Sequence, residues 1–474
     1  MNKIFLILAC MLINTAPVAC QIVWIQVNTD GFGDPNNVGI APTAVFEGNL
    51  YVGTTNFVTG GQVWRTSDEI TWTQVNIDGF GDATNVGACV KTIFQNMLYV
   101  GTWKLAAGGE IWRTSDGENW TQVNIDGFGD PNNLWAAPSA VFNGNLYAGT
   151  ENYVTGGEVW RTSDGENWTQ VNIDGFGDPN NVYALSLKVF EGNLYAATKN
   201  NSIGGAVWMT SDGENWTQTN IDGFGDPNNV SAYPIWDFED NLYAGTENAV
   251  TGAEVWKTSD GGTTWVRVLM LGENNLSVAG SRPRQLEFDF CLYVGTWNYA
   301  AGAEVWTTPD GENWAQANIS GFGDPNTFVA FVGLVFEDKL YVGTGNEVTG
   351  GELWCGSGDC VYIPGDCDHD GVALALGDVI AMIGMYRGSM TPAYTCSCPP
   401  HGDNFAPEAD PNGNCIPFEL ADVVREIAAY RGTAIAEGCE DCPGQGLLAP
   451  GQDGTLVVPS FKSKVKINKG NMEE

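Results

Sequence analysis

The chain has 474 residues, of which Lys and Arg supply 20 and Asp and Glu 57, for a formal charge of −37. That balance repels nucleic acid and anionic membranes and favours cations, which excludes DNA and RNA as partners. The 61 glycines, 18 tryptophans and 15 tyrosines, with few helical runs, point to short strands and tight turns, an all-β chain.

In chain order, the first element is a leader. Lys3 precedes ten mostly apolar residues from Ile4 to Ile13, followed by small residues. Residues 1–20 read as a secretory signal peptide, too short for a membrane span, with cleavage near Cys20 or Gln21. A lipid-anchored Cys20 is the competing reading, which Pro17 fits poorly. No later segment is apolar enough to cross a bilayer, so a secreted or cell-surface protein is expected.

From residue 21 to 363 the chain repeats itself. A Trp recurs as Trp64, Trp112, Trp160, Trp208, Trp256, Trp306 and Trp354, every 48 residues except for one interval of 50. A repeat of this size is one supersecondary unit that cannot bury its faces alone. Gly-Asn, Thr-Gly-Gly and Asp-Gly divide each unit into four strands, as Pro138 to Gly144, Asn145 to Glu151, Gly157 to Ser163 and Asn167 to Asn172 illustrate. Four strands per unit describe a propeller blade, and the units predict seven blades. After Trp354 the fourth strand is missing, whereas Ile22 to Pro35 matches it. The N-terminal strand is therefore expected to close the last blade and remove the exposed sheet edges of an open array.

Between third and fourth strands stands TSDGENW, as at Thr114 to Trp120, Thr162 to Trp168 and Thr210 to Trp216. It resembles the Asp-box (BNR) repeat of sialidase-like propellers, best in the copy Thr258 to Trp265; Asp68 has lost the following glycine. The aspartate is expected to accept backbone N–H bonds across its turn, and the Trp to pack between sheets. The resemblance implies the fold. Sialidase chemistry would further need three converging arginines, a Tyr–Glu nucleophile pair and an acid Asp. Arg65, Arg113 and Arg161 occupy the same place in successive units, so symmetry spreads them, and Arg282 and Arg284 stand together without obvious partners.

The connectors between units carry aspartate pairs: Asp30/Asp34, Asp78/Asp82, Asp126/Asp130, Asp174/Asp178 and Asp222/Asp226. Paired carboxylates on a Gly-rich turn suit calcium, or else cap their own turns through Asx bonds. The loops between second and third strands vary: Phe57, Trp103 with Lys104, Tyr153, Asn200 with Asn201, Trp297 with Tyr299, and Glu347. Trp135, Tyr183, Tyr233 and Phe328 follow the connectors and are expected on the same face. Aromatic faces beside carboxylates suit sugar rings, so Phe57, Trp103, Tyr153, Trp297 and Tyr299 are the candidate ligand contacts, with strand packing as the plainer reading.

Residues 364–442 form a different module. Gly365 to Gly388 is answered 44 residues later by Ala409 to Gly432, each copy a polar loop followed by an amphipathic helix ending in Tyr-Arg-Gly. The loops offer Asp366, Asp368, Asp370, Val372 and Asp378, then Asp410, Asn412, Asn414, Ile416 and Asp422. Alternate oxygen ligands closed by a carboxylate at a helix start follow EF-hand logic, with calcium as the cofactor. The duplicated unit resembles a dockerin, which implies calcium in both loops and a cohesin-like partner. The closing Asp stands at position 13 of each loop where that family has 12, and Cys415 replaces the second loop's glycine. Cys367, Cys396, Cys398, Cys415, Cys439 and Cys442 allow three bridges in 15 pairings. Cys355 and Cys360 are expected to pair with each other, and Cys89 and Cys291, in separate units, to be free thiols. Residues 443–474 read as a disordered tail.

The sequence thus favours an exported, non-catalytic propeller that binds a glycan or protein and docks through a calcium module. A glycoside hydrolase and a structural matrix protein are the alternatives. The near-identity of the repeats leaves no privileged acid, base or nucleophile.

Overall fold

The computed structural model describes residues 22–233, 235–279 and 291–357, together with the short strands Cys396–Cys398 and Gly402–Phe405. The chain divides into two compact units, Met1–Gly358 and Asp359–Glu474. In the second, the two short strands pair antiparallel, with Cys396 opposite Phe405. The helical loop module and the tail expected there lie outside the described residues, as does the leader.

The first unit is nearly all antiparallel β-sheet, and its helical segments among the described residues are single 3-10 turns. Strand β1 (Val23–Gln26) precedes the first full repeat, which consists of β2 (Asn37–Phe46), β3 (Asn49–Asn56), β4 (Val63–Thr66) and β5 (Thr73–Gln74). These four pair in chain order, β2 with β3, β3 with β4 and β4 with β5. The hairpin between β2 and β3 turns through Glu47 and Gly48, both at positive φ (48° and 74°), the twist a two-residue hairpin requires. β3 is buried on both faces, Leu50 and Val52 fully and Tyr51 to 1% exposure, because neighbouring sheets cover it on either side.

Close stacking of the sheets depends on a second-strand glycine in several repeats, whereas the fourth carries Ala197 there. A Cβ at Gly53 would lie 1.7 Å from the carbonyl oxygen of Ala88, and one at Gly149 would lie 1.8 Å from that of Ala184. At the end of the second strand each repeat bridges to the first strand or leading loop of the next. The bridged pairs are Thr55–Gly87, Trp103–Trp135, Glu151–Tyr183, Lys199–Ser231, Glu247–Ser277, Trp297–Val329 and, returning to the start, Gly345–Gly39. A succession of four-stranded sheets whose last member bridges to the first is a β-propeller.

The closure runs through β1, which pairs antiparallel with Leu353–Ser357 and places Trp24 opposite Gly356 and Gln26 opposite Trp354. Gln74 stands opposite Trp64 in the same way. The connector phenylalanines fill the gaps between sheets. Phe32 stacks on Trp64 at 4.6 Å and meets Trp72 at 5.3 Å, and Phe322 stacks on Trp354 at 4.9 Å with Trp24 edge-on at 5.5 Å.

Two cysteine expectations meet the structure here. Cys291 is disulfide-bonded, which corrects the expectation of a free thiol drawn from its place in a different repeat from Cys89. Cys355 is buried opposite Tyr341, whereas Cys360 lies outside the described residues.

Candidate functional site at the mouth of the propeller

The repeated aspartates are bound up in local geometry. Asp116 Oδ1 accepts the N–H groups of Glu118 and Asn119 and the Thr114 hydroxyl, at 2.9, 2.8 and 2.9 Å. The next Trp120 indole donates to the Val75 carbonyl of the preceding repeat at 2.9 Å. Arg65 and Arg161 each pair with a glutamate of the following Asp-box, Glu118 at 2.8 Å and Glu214 at 2.9 Å, and Arg113 pairs likewise with Glu166. These arginines therefore clamp successive blades.

In the connectors, the first aspartate takes a glutamine four residues upstream, as Gln122 Nε2 donates to Asp126 Oδ1 at 2.8 Å. The second caps its own turn: Asp130 Oδ1 accepts from the Asn132 backbone and side chain at 2.9 and 2.8 Å. Asp178 and Asp82 cap their turns in the same way, and Asp78 and Asp174 accept from Gln74 and Gln170. One connection between connectors is Lys104, whose Nζ reaches Asp82, Glu110 and Asp126 at 3.1, 2.6 and 3.0 Å. Expected among the variable loop residues, Lys104 is instead 4% exposed.

The bridging residues mark the mouth. They fall at the third place of a recurrent four-residue string: GTTN, GTWK, GTEN, ATKN, GTEN, GTWN and GTGN, ending at Asn56, Lys104, Asn152, Asn200, Asn248, Asn298 and Asn346. The third place holds Thr55, Trp103, Glu151, Lys199, Glu247, Trp297 and Gly345 in turn, so this level of the ring has diverged while the scaffold stayed constant. Gly39, Thr55, Trp135, Tyr233 and Phe331 also line a cavity of about 790 Å3 bounded by the first strands of the repeats, otherwise largely apolar.

On one side of the mouth Phe57 meets Trp103 edge-on at 5.7 Å, and Trp103 stacks with Trp135 at 6.0 Å. Among the described residues the buried Trp103 indole N–H has no hydrogen-bond acceptor. Beyond these rings, the hydroxyls of Tyr153 and Tyr183 lie 3.2 Å apart. Lys199 Nζ sits 5.4 Å from the centre of the Tyr183 ring and 2.7 Å from a Glu247 carboxylate oxygen. Further round, Tyr299 stacks on Phe328 at 4.8 Å, and Trp297 meets Phe328 at 5.7 Å and Phe331 at 6.3 Å. All five aromatic candidates thus join ring contacts, and Phe57, Tyr153 and Tyr299 keep about half their surface exposed.

Glu151 is the residue that the repeat pattern hid. It is 4% exposed, and burial pushes its carboxyl above the ordinary range, with the Tyr153 hydroxyl and the Lys199 ammonium pulling the other way. Burial also pushes the Tyr153 phenol up to about 12 and raises that of Tyr183. The mouth therefore sets a buried acid, raised above the ordinary carboxyl range, beside the Lys199–Glu247 ion pair, between two aromatic clusters. The available signal was the third letter of the GTxN string, read down the repeats.

No protein-family model matches the chain, and no curated protein matches it. Among solved structures it is similar to YCF48 bound to D1 peptide, at 14% identity over 72% of this chain and 97% of that one, with a TM-score of 0.46. It is similar to an ancestral GH74 enzyme at 15% identity, over 70% of this chain and 46% of that one, with a TM-score of 0.48. A Hadza microbial sialidase matches at 14% identity over 67% of this chain and 74% of its own, with a TM-score of 0.40. Those likenesses are distant, and the chemistry of the mouth is read from this chain's own residues.

The expected calcium ligands Asp366, Asp368, Asp370, Val372, Asp378, Asp410, Asn412, Asn414, Ile416 and Asp422 lie outside the described residues. No helix among the described residues is long and apolar enough to cross a membrane.

Proposed function

We propose that this is an exported seven-bladed propeller that binds a glycan at its mouth and is carried to an extracellular assembly by a calcium-binding, dockerin-like module at 364–442. One observation carries the binding reading: the divergent level of the ring gathers Trp103 and Trp135 on one side and Trp297, Tyr299 and Phe328 on the other. Glu151, Tyr183, Lys199 and Glu247 stand between them. Aromatic faces flanking hydrogen-bonding groups are the chemistry that a sugar ring recognises, apolar on its C–H faces and polar at its rim. The test is a glycan array with the full chain, in which a defined set of glycans is retained and is lost in Trp103→Ala and Trp297→Ala. Silence of the wild type across the array favours a matrix role.

A second reading, glycoside hydrolysis, draws on Glu151. A carboxyl that burial raises above its ordinary range, near the Glu247 carboxylate, is the kind of acid that glycosidases use, paired with a second carboxylate. Release of reducing sugar from polysaccharide, abolished in Glu151→Gln, would establish this reading over plain binding.

A further inference from the structure

Of the seven repeated tryptophans, six donate their indole N–H to a Glu or Gln two residues earlier, as Trp160 does to Glu158 Oε2 at 2.7 Å. The exception is Trp208, because the fourth repeat has Ala206 at the acceptor's place. Among the described residues the Trp208 indole N–H is buried with no hydrogen-bond acceptor.

The frame around Ala206 is otherwise that of the third repeat. Phe176 stacks on Trp208 at 4.8 Å and 10°, as Phe128 does on Trp160 at 4.6 Å and 6°. The Ala206 N–H donates to the Thr198 hydroxyl at 2.9 Å, and the Glu158 N–H to that of Thr150 at 2.8 Å. Asn200 donates to Asp178 and Asn181 at 3.0 and 3.1 Å, as Asn152 does to Asp130 and Asn133 at 3.1 and 3.0 Å.

Asn181 is a second donor left short. Asn133 Nδ2 serves both Gly127 and Glu158 at 2.8 Å, whereas among the described residues Asn181 Nδ2 has Gly175 alone, at 2.9 Å. Asn181 and Ala206 are 5% and 2% exposed. Two N–H groups therefore converge, beneath the surface, on the place that a carboxylate oxygen fills in the third repeat. A buried donor left without a partner is costly, and a void lined by such donors takes one up.

The first repeat shows which partner fits. There Gln62 Oε1 accepts from Trp64 and Asn37 at 3.0 and 2.8 Å, while Nε2 donates to Asp78 at 3.1 Å. Beyond its Cβ a glutamine side chain has the carbon, oxygen and nitrogen atoms of acetamide. In the fourth repeat the Ala206 methyl stands for that Cβ, and Asp222 is the counterpart of Asp78. A carboxylate suits the place less well. Burial, joined by Asp174 and Asp130, pushes the Glu158 carboxyl up, and Asp222 and Asp178 hold the equivalent positions around Ala206.

We propose that the fourth repeat holds a binding niche for a neutral acetamido group. Its carbonyl oxygen accepts from Trp208 Nε1 and Asn181 Nδ2, its N–H points toward Asp222, and its methyl rests against Ala206. With the methyl end closed off, a larger ligand enters by way of its amide nitrogen, as an N-acetyl group allows. The niche is independent of any ligand at the mouth.

The experiment uses the full chain with isotope-labelled tryptophan and follows the indole N–H resonances by NMR. Acetamide should shift one resonance saturably, in the millimolar range expected of so small a ligand. Ala206→Gln should abolish that shift by filling the niche as Gln62 does, and Gln62→Ala should create a second responding resonance. Acetate at neutral pH should need about tenfold more to give the same shift, because its charge is desolvated beside two aspartates. N-acetylglucosamine separates the sources of the group: a shift of the same resonance assigns the niche to acetamido groups carried on sugars, and none assigns it to free amides. No saturable response to acetamide in the wild type means that water fills the niche, and overturns the proposal. A response that survives in Ala206→Gln, or acetate binding as tightly as acetamide, overturns it equally. Ala206→Gln installs a side chain that the first repeat already carries, so the test stands even if Gln62→Ala fails to fold.

Discussion

The indole N–H of Trp24 donates to the carbonyl of Ala317 at 2.8 Å, across 293 residues of chain. Trp72 makes the same bond to Val27 and Trp120 to Val75, each to the repeat before it. Trp24 thus does for the last sheet what the Asp-box tryptophan does for the others, and the ring is held shut by a side chain from the other end of the propeller.

Trp24→Ala should therefore cost about 3 kcal/mol, the usual range for emptying a packed aromatic site. Urea denaturation of the full chain is the measurement. A loss equal to that of Trp72→Ala would show closure to be one joint among equals. A loss below about 0.5 kcal/mol would mean that β1 is not needed to hold the ring.

Lys104→Met removes the charge but keeps the bulk, leaving Asp82, Glu110 and Asp126 facing one another with Glu110 5% exposed. Breaking a buried ion pair from one side typically costs about 3–5 kcal/mol. Thermal unfolding at neutral pH should show the drop.

Stability should peak in mildly acidic solution, because two groups of acids work in opposite directions. Backbone N–H bonds from Thr71 and Ile70 hold the Asp68 carboxyl down to about 2, and similar bonds lower Asp164 and Asp212, while the Asn119 side chain leads in lowering Asp116. A depressed carboxyl stabilises the fold above its unfolded pKa of about 3.9 and loses that contribution as pH falls through the folded value. Burial raises Glu151, Glu158 and Glu352. Their contribution is present below about pH 4.3 and lost as pH rises through their folded values. Melting temperatures between pH 2 and 8 should therefore fall on both sides, and Glu158→Gln should flatten the upper limb while leaving the lower one unchanged.

At the mouth, Trp103→Ala should weaken ligand binding at least tenfold, about 1.4 kcal/mol, through loss of the platform it forms with Trp135 and of its unpaired N–H. Trp120→Ala, on the scaffold, should lower stability with unchanged affinity for the ligand per folded molecule. Equal affinity losses in the two variants would place the ligand elsewhere.

Much of the ring was legible in the amino-acid order because repetition is a one-dimensional property. The strand at Ile22 to Pro35 matches the one missing after Trp354, and β1 does pair with Leu353–Ser357. The mouth was legible only as a list of variable aromatics. Their company is set by the bridge each repeat makes to the next, which brings Trp103 to Trp135 and Glu151 to Tyr183. The apparent sameness of the repeats concealed the point at which they differ most.

The sequence by itself determined the repeating four-stranded sheet, its turns and the strand that completes the circle, since each follows from residues close together or from exact recurrence. Only the tertiary structure decided which acids meet. Asp82 is four residues from Asp78, yet its carboxylate shares Lys104 with Asp126, 44 residues on. Local spacing sets where a backbone turns. Which charges meet depends on how neighbouring sheets stack, because the buried Lys104 ammonium draws its partners from whichever turns the stacking brings beside it.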